Sequence, residues 1–485
     1  MNPINPNRLS GQKLKIALVD PLLGLNPHYV PTGLCYLSAF LKRELASKVE
    51  VRIMSLPLRN MDRLFNYEPD LIGLSTLTHN FNLVRQMAVK IKQVREKALL
   101  VLGGQHITMA PWSMPGEFDC AILGEGEAAF LKLVQSLLSE SIPDKATLPG
   151  LQYRDNGKLT AIPRLSLIEP LDDIPFPDRD SVENIDSIIT LESYKRFNKS
   201  GLRSMQVTTS RGCPYMCKFC QPSIMWEKFR LHSPEYIAEE ISHIVSRYGI
   251  NAVHFEDDLF VCNKNRIATL IDQLGKKNLL NKIVYYAAAR TRQIDQEWVT
   301  LLKTLGVVKI EFGIESGADA VAQYLKSGAT SNEITKSTIR LLNQAGITVY
   351  ASFIAGSPPE SSADLEQTWK LIKWIKNNHI HNSCAISIAT PLPGTPLWEY
   401  AVQQAIINPQ DINWEKLNTL ARFPKNESEY FQLNTRIKPR KLLRKVRLIN
   451  TLMWLGTPAE FIVALPRRVM KVPFKLISFL RQVWS

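Results

Sequence analysis

The chain is short of several things, and each shortage excludes something. Seven cysteines in 485 residues are odd in number and unevenly spaced, so they do not read as a disulfide framework. A reducing cytoplasm suits such thiols and is the expected location. No stretch reaches about 18 uninterrupted apolar residues, so a spanning helix is not expected. The N-terminal Met-Asn-Pro-Ile-Asn-Pro-Asn lacks the apolar core of a signal peptide. Acid is almost missing from the C-terminal end. From Arg436 onward, 12 Lys or Arg accompany one acid, Glu460, so that tail carries +11 of the net +14 and the rest of the chain is nearly neutral. Histidine is also sparse, and none of the eight sits in a D-x-H-x-x-G pattern.

What is present is a concentrated group of thiols. Cys213, Cys217 and Cys220 lie in Thr-Thr-Ser-Arg-Gly-Cys-Pro-Tyr-Met-Cys-Lys-Phe-Cys, a C-x3-C-x2-C spacing with Phe219 before the last cysteine. The other four, Cys35, Cys120, Cys262 and Cys384, are scattered singly. Thiolates select iron–sulfur clusters, zinc or copper. Three local ligands would leave one iron of a [4Fe–4S] cluster open to chelation by a small molecule. The rival is a zinc knuckle with a distant fourth ligand, and no suitably spaced His or Cys follows Cys220 closely.

This run resembles the cluster loop of the radical S-adenosylmethionine (SAM) enzymes. The resemblance implies that Cys213, Cys217 and Cys220 hold a [4Fe–4S] cluster whose open iron is chelated by SAM. It also implies an electron donor such as flavodoxin or ferredoxin.

Before residue 140, apolar β-like runs at 14–20, 49–56, 71–76, 98–104 and 120–126 alternate with helical patterns. Continuous Val/Ile/Leu character fits strands buried on both faces of a parallel sheet, and the alternation predicts a doubly wound, flavodoxin-like α/β fold. The strand ends carry Ser75-Thr76, then Gly103-Gly104-Gln105-His106, then Gly124-Glu125-Gly126. With Pro31-Thr-Gly-Leu opening the first helix, this ordered set resembles the cobalamin-binding domain fused to many radical SAM enzymes. Those residues are the cobalamin candidates that the resemblance implies. It further implies a corrin bound without a histidine lower ligand, with His106 ordering its loop. A scaffold that has lost cobalamin is the alternative.

A proline-punctuated stretch, 141–198, reads as a linker. From 199 to 400 the βα alternation resumes, with strands expected at 205–210, 252–257, 283–289, 309–314, 348–354 and 384–389. Ser233-Pro234-Glu235 and Thr330-Ser-Asn-Glu333 read as helix starts, and Gly346 as a stop. Six βα units suit the family's partial (β/α)6 TIM-like barrel, whose chemistry gathers at the strand ends. Residues matched to family turns there are Asp257 and Asp258, Arg290, Glu315-Ser316 in Gly-Ile-Glu-Ser-Gly, and Gly356. The resemblance implies that they meet the amino group, carboxylate, ribose and adenine of SAM, with Phe219 beside the cluster.

Residues 1–12 read as a tail, 13–140 as the cobalamin domain and 401–485 as a basic, apolar helical region. In that last region Trp414, Trp454, Phe461, Phe474, Phe479 and Trp484 alternate with Lys and Arg. Two readings stay open: an interfacial, membrane-peripheral helix on an anionic bilayer, and a small cap on the barrel. A nucleic-acid arm fits less well with so much Leu, Ile and Phe.

The activity implied is that of a cobalamin-dependent radical SAM methyltransferase, methylating an unactivated carbon through methylcobalamin and a 5′-deoxyadenosyl radical. The substrate is expected to be an amphiphilic small molecule, an isoprenoid or a tetrapyrrole. A cyclase or rearrangement enzyme of the same architecture is the runner-up, and a non-catalytic cobalamin or redox sensor is the alternative of another class.

Overall fold

The computed structural model describes residues 12–22, 29–139, 148–163, 167–189, 201–326, 328, 330–379, 381–417 and 424–455. The chain divides into two compact units, one of residues 1–212 and 224–252, the other of residues 213–223 and 253–485.

In the first unit the strands are β1 (Leu14–Leu22), β2 (Val49–Pro57), β3 (Leu71–Ser75), β4 (Leu99–Gly103), β5 (Cys120–Ile122), β6 (Leu151–Asp155) and β7 (Lys158–Ala161). They form one sheet in the order β2-β1-β3-β4-β5-β6-β7. The first five pair in parallel, as the apolar runs predict. Alternate residues of β1 explain why. Leu14, Ile16 and Leu18 join a core with helices Thr32–Leu45 and Glu127–Leu138. Ala17 and Val19 join a second core with helices Asp62–Tyr67 and Phe81–Val94. Both faces are covered, so neither can be polar.

Two expectations need correcting. The last expected strand stops at Ile122, because Gly124 (φ +81°) turns the chain out of the sheet. The expected linker also contains structure. β6 and β7 form a hairpin that adds antiparallel to β5, its turn made by Asn156 and Gly157, both at positive φ. The unit also contains β8 (Ser204–Val207) and a ribbon of β9 (Ser210–Arg211) with β10 (Arg230–Leu231), so the expected strand at 205–210 is two pieces.

The second unit carries β11 (Ala252–Phe255), β12 (Val284–Ala289), β13 (Val307–Glu315), β14 (Thr348–Ala355) and β15 (Ser383–Ile388) as consecutive neighbours in one sheet. β12 to β15 pair in parallel, each after an intervening helix. β14 alternates fully buried and half-buried residues. One face is packed under helices while the other is only partly filled, as in an open barrel.

Punctuation follows the sequence with one shift. Ser233 caps its helix through the Tyr236 N–H at 3.1 Å, and Gly249 (φ +63°) ends it. The expected cap at Thr330 is made by Ser331 instead, whose hydroxyl accepts from the Ile334 N–H. The helix Pro439–Leu455 buries Leu442, Leu443, Val446, Ile449 and Leu452, and Asn450 donates to the Ile386 carbonyl of β15. This part of the basic region is a cap whose apolar side is consumed by packing. Among the described residues no helix is long and apolar enough to cross a membrane. Phe461, Phe474, Phe479 and Trp484 lie outside the described residues.

Candidate functional site

The chain leaves Gly212, held at φ +88°, and enters the cysteine loop, which belongs to the second unit. The loop is pinned from several sides. The Lys218 N–H donates to the Leu325 carbonyl at 2.8 Å, and the Lys218 carbonyl accepts from the Leu397 N–H at 3.0 Å. Gln221 donates to the Pro393 carbonyl at 2.8 Å. Phe219 packs into the apolar cluster of Val321, Leu325, Leu397 and Trp398. The proline-rich segment 390–396 therefore acts as a clamp on the loop, and Phe219 is an anchor.

The three thiols are free and partly exposed. Loss of water, with Asp258 and the other thiols nearby, pushes Cys220 up to about 12, and burial also raises Cys213. Among the described residues no three His, Cys, Asp or Glu converge on a point that would suit one metal ion. A cubane needs no such point, since each thiolate takes a different iron. Three unbridged thiols on one pinned loop fit that group, and bound iron would deprotonate them.

Around this loop stand Arg290, Glu315 and a residue that sequence reading missed, Lys326. Arg290 follows β12. Its guanidinium stacks 3.7 Å over the Tyr215 ring and comes 4.0 Å from the Cys217 sulfur. Gln293 donates to the Tyr215 hydroxyl at 3.3 Å. Glu315 ends β13 at φ +68°, past a register shift after Gly313. A Cβ on Gly313 would collide with the Glu315 carboxylate, which explains the Gly-x-Glu spacing. Glu315 is buried, with Lys326 Nζ at 3.8 Å. Burial raises the Glu315 carboxyl against the opposing pull of Lys326 and Arg290, and it lowers the Lys326 ammonium. Lys326 also donates to the Gly313 carbonyl. At the end of a short helix it reads in sequence as an ordinary C-terminal lysine; no local spacing marks it.

Asp257 is buried after β11, whereas Asp258 has an exposed residue surface. Loss of water around the Asp258 carboxyl, reinforced by Asp257, pushes it up to about 7. Ser316 is spent internally, its hydroxyl 3.2 Å from that of Thr368 and accepting from the Ala318 N–H. Gly356 has φ +82°, and a Cβ there would come 2.7 Å from Leu442. Its N–H bonds Glu360, and Asn434 donates to the carbonyls of Ser357 and Glu360 at 2.6 and 2.7 Å. This turn is thus stitched to the C-terminal cap.

In the first unit the expected residues gather at the carboxyl edge of the sheet, but several are occupied by one another. Gly104 (φ +100°) is required because a Cβ would lie 2.6 Å from the Thr76 carbonyl oxygen. Gly103 has open space around it, and Ser75 is half-buried at the end of β3. The Thr76 hydroxyl bonds Asn80, and the Gly124 N–H bonds the Thr108 hydroxyl at 3.0 Å. His106 is fully buried, with Nδ1 3.1 Å from the Thr78 hydroxyl and Nε2 3.1 Å from that of Ser113. Burial holds its imidazolium down to about 3, so the ring is neutral and both nitrogens are used. Glu125 is bound by Arg211 at 2.9 Å and by Arg230, and Glu127 by Arg211 at 2.5 Å, all within a buried network. Gly126 packs under Leu37.

Two groups that sequence reading passed over are less committed. Asp20, near the end of β1, is buried with one 3.4 Å bond from Ser55, and burial pushes its carboxyl up to about 7. His79 follows β3 half-buried, and burial lowers its imidazolium. Unspent polar groups at this edge fit a polar cofactor, cobalamin, at the switch point of such a sheet.

The Radical SAM superfamily model matches residues 207–400, and the B12 binding domain model matches residues 25–134. An uncharacterized methyltransferase of Pyrococcus horikoshii is 30% identical over 396 residues, 80% of this chain and 82% of its own. Cytidylyl-2-hydroxyethylphosphonate methyltransferase of Streptomyces wedmorensis is 25% identical, covering 82% of this chain and 83% of its own. An anaerobic magnesium-protoporphyrin IX monomethyl ester cyclase of Cereibacter sphaeroides is 25% identical, covering 70% and 54%. The solved radical SAM methyltransferase TsrM of Kitasatospora setae, with cobalamin and a [4Fe–4S] cluster bound, superposes with a TM-score of 0.68 at 18% identity, covering 95% of this chain and 92% of its own, which is a likeness of fold. The chain belongs to the cobalamin-binding radical SAM enzymes, the family that works with a [4Fe–4S] cluster, SAM and cobalamin.

Proposed function

We propose that this enzyme transfers a methyl group from SAM to a carbon atom of a small molecule. The observation that carries the reading is the set of three free thiols on a clamped loop with Arg290, Lys326 and Glu315 beside it. The two methyltransferase relatives, each aligned over about four-fifths of both chains, supply the reaction type. When bound, the cluster and cobalamin supply the one-electron and methyl-transfer chemistry that side chains lack.

The chain's own residues bind and orient. Cys213, Cys217 and Cys220 hold the cluster. Arg290, kept planar against Tyr215, and Lys326 offer fixed cations to the SAM carboxylate. Glu315 and Asp257 offer acceptors to the ammonium and the ribose hydroxyls, and Asp258 adds a carboxyl close to ionisation. Ser316 and Gly356 act as positioning residues, because one holds Thr368 and the other lies under Leu442. The first unit takes the corrin at the edge built by Ser75, Thr76, Gly103 and Gly104, with Gly124 and Glu125 shaping its margin.

The cyclase relative supports a second reading, and the porphyrin in its name makes a tetrapyrrole the first compound to try alongside isoprenoids. The test is anaerobic reconstitution with iron, sulfide and hydroxocobalamin, then assay with reductant and candidate substrates. 5′-Deoxyadenosine together with S-adenosylhomocysteine, and a product heavier by one CH2, is the expected result. 5′-Deoxyadenosine with a cyclised or rearranged product of no methyl gain would replace methylation with the second reading. Cluster and corrin binding with no SAM cleavage would indicate a sensor.

A further inference from the structure

We propose that His79 is the lower axial ligand of cobalt in this chain. The inference rests on the reading that the corrin sits at the carboxyl edge of the first sheet. The absence of D-x-H-x-x-G argued for a corrin without a histidine ligand, but that motif is only one way to bring an imidazole to this edge.

The topology gives the position. With the order β2-β1-β3-β4-β5, the strand order reverses between β1 and β3. Ligands of such sheets bind outside the carboxyl ends of the strands at that switch point. His79 stands four residues beyond the end of β3, in the single 3-10 turn Thr78–Asn80 that leads into the helix Phe81–Val94.

The turn is held on both sides of His79. Thr78 bonds His106 through its hydroxyl. The Asn80 side-chain oxygen accepts from the Leu77 N–H at 2.9 Å and from the Thr76 hydroxyl at 3.2 Å, and its amide donates to the Pro21 carbonyl of β1 at 3.5 Å. Asn80 thereby ties the end of β3 to the end of β1 across the switch point. Between these fixed neighbours, the His79 ring makes no hydrogen bond, ion pair or ring contact among the described residues, although it is half-buried. A partly desolvated polar ring without a partner is unfavourable unless something else satisfies it. Imidazole is the commonest protein ligand for metals.

His106 makes the contrast sharper. It lies at the same edge, but both its nitrogens are already bonded to hydroxyls, so coordination would break an existing network. His106 fixes Thr78, and Thr78 fixes the turn that carries His79. The same two residues therefore divide the work: one histidine orders the support and the other is left to bind. A rigid support around a metal ligand is what fixes its orientation.

The test reads the cobalt directly and needs no turnover. The full chain, labelled with 15N-histidine, is loaded with hydroxocobalamin, freed of unbound cofactor and reduced to the cobalt(II) state. Coupling to one axial nitrogen splits each cobalt hyperfine line in the electron paramagnetic resonance spectrum. Unlabelled protein should give triplets and labelled protein doublets; the label separates a protein imidazole from the cofactor's own benzimidazole base. His79→Gln should retain the corrin and lose the nitrogen splitting. Corrin retained with unsplit lines, or with triplets unchanged by the label, overturns the proposal while leaving the placement of the corrin intact. No corrin retained by the unaltered chain overturns both. Label-sensitive splitting that survives in His79→Gln assigns the ligand to another histidine and also overturns it.

Discussion

The carboxyl edges of the two sheets are built from similar residue types and spend them differently. In the first unit, His106, Thr76, Glu125 and Glu127 are bonded to one another or to Arg211 and Arg230, so most of the motif is architecture. In the second, Glu315, Lys326 and Arg290 are buried or crowded beside three free thiols, with Lys326 and Glu315 3.8 Å apart and Arg290 4.0 Å from the Cys217 sulfur. Saturated hydrogen bonding rigidifies an edge. A buried pair held no closer than 3.8 Å, as Lys326 and Glu315 are, keeps capacity for a zwitterionic ligand such as SAM. Glycine-and-acid motifs at strand ends therefore mean different things in the two units, and the partners decide which.

The sharpest way to break this contrast is at the thiols. Cys213→Ala, Cys217→Ala or Cys220→Ala should each abolish cluster absorbance and 5′-deoxyadenosine formation while corrin binding by the first unit persists. Retention of a full cluster in any one of them would mean that a side chain elsewhere is a ligand.

Next come the buried charges. Arg211→Met leaves Glu127 without its cation and Glu125 with Arg230 alone, and Lys326→Met takes the nearest cation from Glu315. Breaking a buried pair from one side costs about 3–5 kcal/mol. Urea or thermal unfolding should show a loss of that order in both. The comparison separates them by function. Arg211→Met should leave SAM affinity of the folded fraction unchanged, and Lys326→Met should weaken it at least tenfold by equilibrium binding. Equal SAM affinity in both variants would place Lys326 among the structural residues.

Much of this arrangement was legible in the sequence. The five parallel strands followed from apolar runs, because a strand covered on both faces has no polar side to show. The C-x3-C-x2-C spacing singled out the loop whose thiols the structure leaves unbridged, and Ser233 followed from local capping chemistry. The status of Glu125 was not legible, since Arg211 and Arg230 lie 86 and 105 residues away. Lys326 and Tyr215 were missed for the same reason: their roles arise from tertiary neighbours. In sequence the hairpin β6–β7 reads as linker, because its half-buried edge residues lack the apolar run of a central strand. The shift of a cap from Thr330 to Ser331 is a one-residue boundary error that neither residue type could resolve.

Acid–base behaviour sharpens the comparison at smaller cost. Asp20 in the first unit and Glu360 in the second are both held near 7 by burial, above their ordinary 3.8 and 4.5. A raised carboxyl favours the fold in its protonated form, so this stability is complete below the unfolded value and is lost as pH rises toward 7. His106 works oppositely. Its value falls from 6.5 to about 3, so its contribution is present above 6.5 and is lost as pH falls toward 3. Glu360→Gln should flatten the loss between about 4.5 and 7, on the order of 3 kcal/mol at most. His106→Gln should flatten the acid limb instead. Unfolding curves across pH that keep the wild-type shape in both variants would remove these groups from the linkage.

The smallest expected effect is the most discriminating for the C-terminal cap. Gly356 has φ +82°, and a Cβ there would lie 2.7 Å from a methyl of Leu442. Gly356→Ala therefore adds left-handed strain and overpacking, about 1–3 kcal/mol. Leu442→Ala removes a buried side chain from the same contact and costs about 2–5 kcal/mol. The double variant should cost less than the two singles together, because the smaller partner makes room for the added methyl, whereas the backbone strain stays. That residue of strain is the part specific to glycine, and it should appear as a remaining loss in the double variant relative to Leu442→Ala alone. Strict additivity would show that the helix Pro439–Leu455 does not press on the turn in solution.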